Sequence, residues 1–293
     1  MSKWRFTKLV ALVLAAAAII CLCYAYFIEP RRLVINSQVL EVAHLDPAFD
    51  GLKVVAIGDI HGGSNGVTDD RLRELVAVTN AQQPDLIVLL GDFVAHPLGS
   101  DRIYMPPAEI ADGLAGFQAK YGVYAVLGNH DGWYDNASVA NELKQVGIRV
   151  LQNEIATIEV NGRPLRLLGL KDHMSLGNAW YGDSRIAQRL GSQGEGQIIV
   201  LEHSPDILPF ISGERLISPE LRLMLAAHTH GGQIKIPLWG PVFIPSNYGT
   251  KYAAGHIVDN GIDMFVTTGI GTSMLPLRFM VPPEIAVLTL RAR

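Results

Sequence analysis

Aspartate, asparagine and histidine gather in this chain in five clusters whose residue types suit divalent cations. Asp59 and His61 stand in Gly58-Asp59-Ile60-His61, Asp92 follows Gly91, and Asn129, His130 and Asp131 follow Gly128. His203 follows Glu202, and His228-Thr229-His230 precede Gly231-Gly232. Singly, each has an ordinary structural explanation: an Asp-x-His pair can be a helix cap and a surface histidine, and a lone His203 before Ser204-Pro205 can cap a neighbouring helix. Together they favour one site. The donors are carboxylate, amide and imidazole without sulfur, which suits hard to borderline ions such as Mn, Fe, Zn or Mg. They outnumber what one four- to six-coordinate ion needs, so two ions sharing a carboxylate is the economical arrangement. Two ions about 3.5–4 Å apart can hold a bridging hydroxide, orient a phosphoryl group and stabilise the charge developing on it, which is the chemistry of phosphoester hydrolysis.

Such clusters meet only if the elements carrying them end at one rim. Short apolar runs at 52–57, 86–90 and 123–127 have no polar face, as expected of strands buried on both sides of a sheet. Helical periodicity lies around them at 68–81, 108–120 and 136–146, so the β-α-β-α-β order predicts a largely parallel sheet. Asn161-Gly162 and Asn260-Gly261 are flanked by alternating apolar residues, the pattern of two-residue hairpin turns. The second half is therefore expected to be more antiparallel, with further strands at 198–201, 221–226 and 285–290. Each polar cluster follows a predicted strand, and functional groups of open α/β sheets collect at such carboxyl ends. Glycine beside the donors lets the backbone turn sharply there.

Of the 293 residues 49% are hydrophobic and 18% charged, enough for one sizeable α/β domain. A formal net charge of -4 supplies no basic footprint, so no nucleic-acid partner is expected. The two cysteines, Cys21 and Cys23, both lie in an N-terminal apolar run, which leaves the remaining chain no internal disulfide and no thiolate metal site. That run, residues 9–28, carries no charge and at ~1.5 Å per residue spans a ~30 Å hydrocarbon core. Its length exceeds the ~7–15 residues of a signal-peptide core, which favours an uncleaved anchor. The expected organisation is a basic tail at 1–8, a transmembrane anchor at 9–28, a connector at 29–50 and the catalytic domain at 51–293. Lys3, Arg5 and Lys8 precede the span and Arg31 and Arg32 follow it, so the positive-inside bias places the N-terminus in the cytoplasm. The protein is thus expected to be single-pass in the cell (inner) membrane with its catalytic domain extracytoplasmic.

In its motifs the sequence resembles the calcineurin-like metallophosphoesterases. D-x-H, G-D, G-N-H-D, a lone H and H-x-H occur in that order from Asp59 to His230. The resemblance implies an α/β sandwich of mixed sheets flanked by helices. It further implies that Asp59, His61 and His230 hold one divalent metal ion, that Asn129, His203 and His228 hold a second, and that Asp92 bridges them. His130 would be the general acid or phosphate-orienting residue, with Asp131 fixing its tautomer and raising its basicity. The N-terminal anchor, His228-Thr229-His230-Gly231-Gly232-Gln233 and a tail with Gly269-Ile270-Gly271-Thr272-Ser273, Arg278-Phe279 and Pro282-Pro283-Glu284 look like a bacterial membrane-associated subgroup. That subgroup is related to UDP-2,3-diacylglucosamine pyrophosphatases of lipid A synthesis. Two positions depart from the pattern. Ala227 replaces the usual glycine before His-x-His, and His96 stands where an acidic residue often follows G-D.

Several residues have competing roles. Arg278 is a candidate to grip a substrate phosphate or to pair with Glu284, and Asp172 to line the substrate pocket beside His173. Tyr104, Trp133, Tyr134, Trp180 and Trp239 fall in predicted loops and form either an apolar substrate wall or a membrane-touching edge, against the ordinary reading of partial burial. Gly62-Gly63-Ser64-Asn65-Gly66 fits the G-x-S-x-G string of serine hydrolases, but Ser64 lies too far past its strand for a nucleophile elbow. The function expected is a phosphodiesterase or pyrophosphatase acting on a lipid-linked or envelope phosphoester. A phosphomonoesterase or Ser/Thr protein phosphatase is the alternative within the class, and a catalytically silent membrane-tethered module the alternative outside it.

Overall fold

The computed structural model describes residues 3–100, 102–176 and 180–293. Its first half contains α1 (Lys3–Cys23), β1 (Val34–Val42), β2 (Lys53–Ile57), α2 (Asp69–Ala81), β3 (Leu86–Leu90), α3 (Pro107–Gly113) and β4 (Val123–Val126). Next come α4 (Asn129–Tyr134), α5 (Asn136–Gln145), β5 (Arg149–Val150), β6 (Glu154–Val160) and β7 (Arg163–Gly169). The second half adds α6 (His173–Leu176), α7 (Trp180–Gly191), β8 (Gln197–Leu201), α8 (Leu208–Ile211) and β9 (Leu221–Ala226). It closes with β10 (Lys235–Ile236), β11 (Gly240–Pro241), β12 (Gly255–Asp259), β13 (Ile262–Val266) and β14 (Glu284–Ala292).

Two six-stranded sheets stack face to face, in the orders β1-β14-β2-β3-β4-β5 and β12-β13-β9-β8-β7-β6. Because alternate strand residues face opposite ways, Leu86, Val88 and Leu90 of β3 enter the core between the sheets while Ile87 and Leu89 face outward. Leu167, Leu201, Leu223, Leu225 and Phe265 meet the former group from the second sheet. On the outer face of the first sheet, Leu72 and Leu75 of α2, Ile110 of α3 and Leu143 of α5 cover Ile87 and Leu89. On the far side Ala187, Leu208 and Ile211 cover Ile198, Val200 and Met224. Each such side chain contributes about 1.5–3 kcal/mol by leaving water, so the inter-sheet layer is what fixes the strand ends relative to one another. The architecture is the mixed α/β sandwich with flanking helices expected from the sequence.

Three local expectations change. The first sheet is parallel across β2, β3, β4 and β5, as predicted, but the second is also parallel at its centre, β13-β9-β8-β7, with antiparallel hairpins only at its edges. Asn161-Gly162 and Asn260-Gly261 do turn those hairpins, β6-β7 and β12-β13. The stretch expected within the connector forms β1, an edge strand paired parallel to β14 along nine residues. The helix predicted at 108–120 stops at Gly113, because Asn80 of α2 takes over the backbone beyond it. Asn80 Nδ2 donates to Gly116 O at 2.8 Å and its Oδ1 accepts from Gln118 N at 2.8 Å.

None of the residues of α1 is buried against the domain. It is the one helix among the described residues long and apolar enough to cross a membrane. The segment after it does dock. Arg278 N donates to Ala25 O at 3.0 Å, Val281 N donates to Glu29 Oε1 at 2.6 Å, and the Tyr24 and Phe279 rings meet edge to face.

Candidate metal centre

Five of the sequence-predicted donors sit on backbone that L-residues seldom adopt. Asp59 (φ 48°), His61 (47°), Asp92 (54°), His228 (69°) and His230 (51°) are all left-handed. Such conformations cost roughly 1–3 kcal/mol each, and persist where the surroundings over-determine them. Here the surroundings are the sheet ends. Asp59 N donates to Gly91 O, His61 N to Asp92 O and Ala227 N to His203 O, so each post-strand turn is pinned to its neighbour. The approach is close enough that two glycines are obligatory. A Cβ at Gly128 would fall 2.2 Å from Asp92 Oδ1, and one at Gly269 would fall 2.6 Å from Asp59 Oδ2.

The pinned turns bring the donors into two groups that meet at Asp92. In the first, one ligand atom from each of Asp59, His61 and His230 lies within 4.8 Å of the others, and His61 Nε2 is 3.2 Å from His230 Nε2. In the second, Asp92, His203 and His228 satisfy the same limit, with His203 Nε2 at 3.2 Å from His228 Nδ1. Asp92 Oδ2 stands between the groups, 3.5 Å from His61 Nε2 and 3.3 Å from His203 Nε2. Its Oδ1 accepts from His130 N at 2.8 Å, which fixes the carboxylate plane. Asn129 opens α4 and is buried, one residue before the His130 N–H that binds Asp92.

The arrangement fits cations better than it fits hydrogen bonds. His61 Nδ1 lies 3.1 Å from Val94 O and His203 Nδ1 2.7 Å from Leu90 O, so both rings donate through Nδ1; Nε2 of His61 keeps a lone pair, and Nε2 of His203 offers one once its proton, held against Asp92, has left. Converging nitrogens 3.2 Å apart match the edge of a coordination shell with bonds of about 2.0–2.1 Å. Asp59 Oδ2 and Asn129 Oδ1 are buried without any donor, as oxygens reserved for a cation should be.

Electrostatics without cations point the same way. Burial pushes Asp59 up to about 7, against the pull of His203. Burial pushes His61 down to about 3, and burial with His203 does the same to His228, while His230 lies well below its ordinary value. The exception is one ion pair. Burial opposes charging either partner, yet His203 and His130 hold Asp92 well below the carboxylate range, and Asp92 and Asp59 hold His203 well above the imidazole range.

Other expectations are corrected. Asp131 does not touch the His130 ring. Its Oδ1 accepts from Phe93 N (2.9 Å) and Val94 N (3.1 Å), and its Oδ2 from Gly128 N (2.9 Å), so it ties two post-strand loops together. His130 instead meets His96, Nδ1 to Nδ1 at 3.2 Å, and its Nε2 lies 3.4 Å from Ser273 Oγ. The departure at position 96 was thus the signal for the partner. Arg278 is fully buried and neither pairs with Glu284 nor reaches a substrate surface. It donates to the carbonyls of Thr268, Gly271 and Val281, and Nη2 stands 3.3 Å behind His230 Nδ1. Asp172 is 2% exposed, accepts from Ser175 N through Oδ2 and lines a small cavity with Asn136, Leu151 and Ser175. Ser64 is buried, its Oγ accepting from Thr272 N, which removes it as a nucleophile. Tyr104, Trp133, Tyr134 and Trp239 are exposed, and Trp133 packs 4.8 Å from His130. The side chain of Trp180 lies outside the described residues.

Fold and donor set define a metallophosphoesterase. A family model for calcineurin-like phosphoesterases matches residues 52–232, and the chain belongs to that family. It is 31% identical to YkuE, an uncharacterised metallophosphoesterase of Bacillus subtilis, across all of this chain and 98% of that one. It is 30% identical to the phosphodiesterase YaeI of Escherichia coli over 99% of each chain. A Danio rerio protein named as a transmembrane protein with a metallophosphoesterase domain is 27% identical over 99% of this chain and 63% of its own length. This chain is accordingly a hydrolase of phosphoester bonds, from a family that uses divalent metal ions.

Proposed function

We propose that the protein is a two-metal phosphodiesterase or pyrophosphatase whose substrate is a lipid-linked phosphoester lying in the membrane that holds α1. Asp59, His61 and His230 would hold one ion, Asn129, His203 and His228 the other, and Asp92 would be shared between them. When bound, the pair supplies positive charge against the phosphoryl oxygens and lowers the pKa of water. His130 supplies the proton for the leaving oxygen. Its Nδ1 is engaged by His96, so Nε2 is the atom that faces the rim and delivers it.

One observation carries the membrane part: the rim beside His130 is continuous with the docked end of the anchor. Ser273, next to His130 Nε2, donates its N–H to Gln233 Oε1 at 2.8 Å, and Gln233 Nε2 donates to Leu275 O. Gln233 leads into the β10-β11 hairpin, whose base bonds to Phe279 through Lys235 N, and Phe279 packs on Tyr24 at the end of α1. At the hairpin turn Leu238 and Trp239 are exposed, Trp239 by 88%, and Val242, Phe243, Met274, Leu275 and Met280 expose further apolar surface beside them. A patch of this kind next to a membrane anchor suits insertion at the interface, where tryptophan is favoured. With Lys3, Arg5 and Lys8 on the cytoplasmic side, the substrate is an extracytoplasmic lipid phosphodiester, whereas UDP-diacylglucosamine would require the domain to face inward.

Full-length protein in lipid nanodiscs tests this with four substrates: a lipid phosphodiester, UDP-diacylglucosamine, soluble bis(p-nitrophenyl) phosphate and the monoester p-nitrophenyl phosphate. The double change Leu238→Glu, Trp239→Glu should cut lipid phosphodiester cleavage by ~10-fold or more and leave the soluble diester within ~2-fold. Equal losses on both substrates, or wild-type preference for a monoester, would overturn the reading. Cleavage of UDP-diacylglucosamine alone would overturn the outward placement.

A further inference from the structure

Outside the centre built around Asp92, a second set of chelating groups lies where β7 and β8 end. Gly169 pairs with Leu201 in register, so the segments leaving these parallel strands run side by side and place Asp172 and His173 against Glu202. One ligand atom from each of the three lies within 4.8 Å of the others. Asp172 is 2% exposed and Glu202 0%. Each carboxylate commits one oxygen to a neighbour. Asp172 Oδ2 accepts from Ser175 N at 2.7 Å, and Glu202 Oε1 accepts from His173 N at 3.3 Å with His173 Nδ1 3.4 Å away. The remaining oxygens, Asp172 Oδ1 and Glu202 Oε2, are buried and meet no donor.

Two neighbouring carboxylates with an unsatisfied oxygen apiece are costly in a buried site unless a cation joins them. Among the described residues the one ion-pair partner that either has is His173. Asn136 Oδ1, also buried without a donor, lines the same small cavity as Asp172 and Ser175.

We propose that Asp172, His173 and Glu202 form a third divalent-cation site, separate from the two ions held around Asp92. The separation follows from Glu202 turning to His173 while the next residue, His203, turns to Asp92. Two carboxylates and one imidazole suit a borderline ion such as Mn or Zn, with water or Asn136 completing its shell. A cation there ties the segment after β7 to the end of β8 and so braces the strand end that carries His203.

Metal counting tests the site without depending on turnover. Full-length protein is stripped with chelator, reloaded separately with Mn2+ or Zn2+, desalted and assayed by inductively coupled plasma mass spectrometry. The wild type should hold about three ions per chain, and Asp172→Asn and Glu202→Gln about two each. Asp92→Asn should lose ions from the principal centre and keep the third, which separates failure of this proposal from failure of the two-metal reading. A wild-type count that neither Asp172→Asn nor Glu202→Gln lowers would overturn it, whatever the number held at the principal centre. Should the variants not fold, anomalous difference maps of wild-type crystals decide: a peak between Asp172 and Glu202 supports the site, and peaks at the principal centre alone refute it.

Discussion

Replacing Asp131 separates a structural brace from a catalytic partner. Asp131→Ala would leave the N–H groups of Phe93, Val94 and Gly128 buried without an acceptor. At roughly 1–3 kcal/mol for each orphaned group, the loss lies between ~3 and ~9 kcal/mol, against a total stability of about 5–15 kcal/mol. The alanine variant should therefore scarcely accumulate as folded protein. Asp131→Asn is the informative change. It retains an acceptor for Phe93 and Val94 but turns an amide nitrogen on Gly128 N, costing about 1–3 kcal/mol. Urea unfolding of the metal-free protein in mild detergent, followed by tryptophan fluorescence, should show a midpoint lowered by about 1 M. The protein that remains folded should hydrolyse bis(p-nitrophenyl) phosphate with kcat within ~10-fold of wild type and an unchanged pH profile, because Asp131 does not touch His130. A variant of full stability, with kcat collapsed and its acidic limb displaced, would refute this reasoning and return Asp131 to the proton path.

Three further outcomes follow from the same geometry. Without cations Asp59 is pushed up to about 7 by burial and His203 lies well above its usual range, so both hold protons that an incoming ion must displace. Metal affinity should rise as pH rises through about 7 and fall below it, with protons released on binding, and calorimetry in two buffers of different ionisation enthalpy would expose a pH-independent affinity if that is wrong. Gly128→Ala places a Cβ 2.2 Å from Asp92 Oδ1, so kcat/KM should fall ~100-fold or more along with bound metal, and a fully loaded active variant would contradict it. His96→Leu removes the partner of His130 Nδ1 and should lower kcat about 10- to 100-fold with little change in KM, as steady-state kinetics on the soluble diester would reveal.

The candidate donors stood out in the sequence because their types and their places after apolar runs are local features of the chain. What supports them was not. That Asp59, His61, Asp92, His228 and His230 take left-handed backbone is imposed by the hydrogen bonds between neighbouring post-strand turns, which no local pattern encodes. His130 and Asp131 are adjacent in sequence and so resemble a catalytic pair. Successive helical residues point about 100° apart, however, and Asp131 turns back to cap the start of α4 and the loop after β3. Arg278 misled for a related reason, since one residue has no periodicity to report that it is buried behind His230. In β1 the exposed Ile35 and Val39 and the inner-face Asn36 and Gln38 blur any apolar-polar alternation, and the partner, β14 at the opposite end of the chain, is not a local feature.

Hydrolysis of bis(p-nitrophenyl) phosphate by chelator-stripped full-length protein, titrated with Mn2+ and repeated for Asp92→Asn, bears most directly on a shared two-cation centre. Turnover should be absent after stripping, return with added ion, and fall by ~1,000-fold or more in the variant, whose amide cannot replace a bridging carboxylate. Hydrolysis that persists in chelator, or an Asp92→Asn enzyme that keeps pace with wild type, would contradict the account.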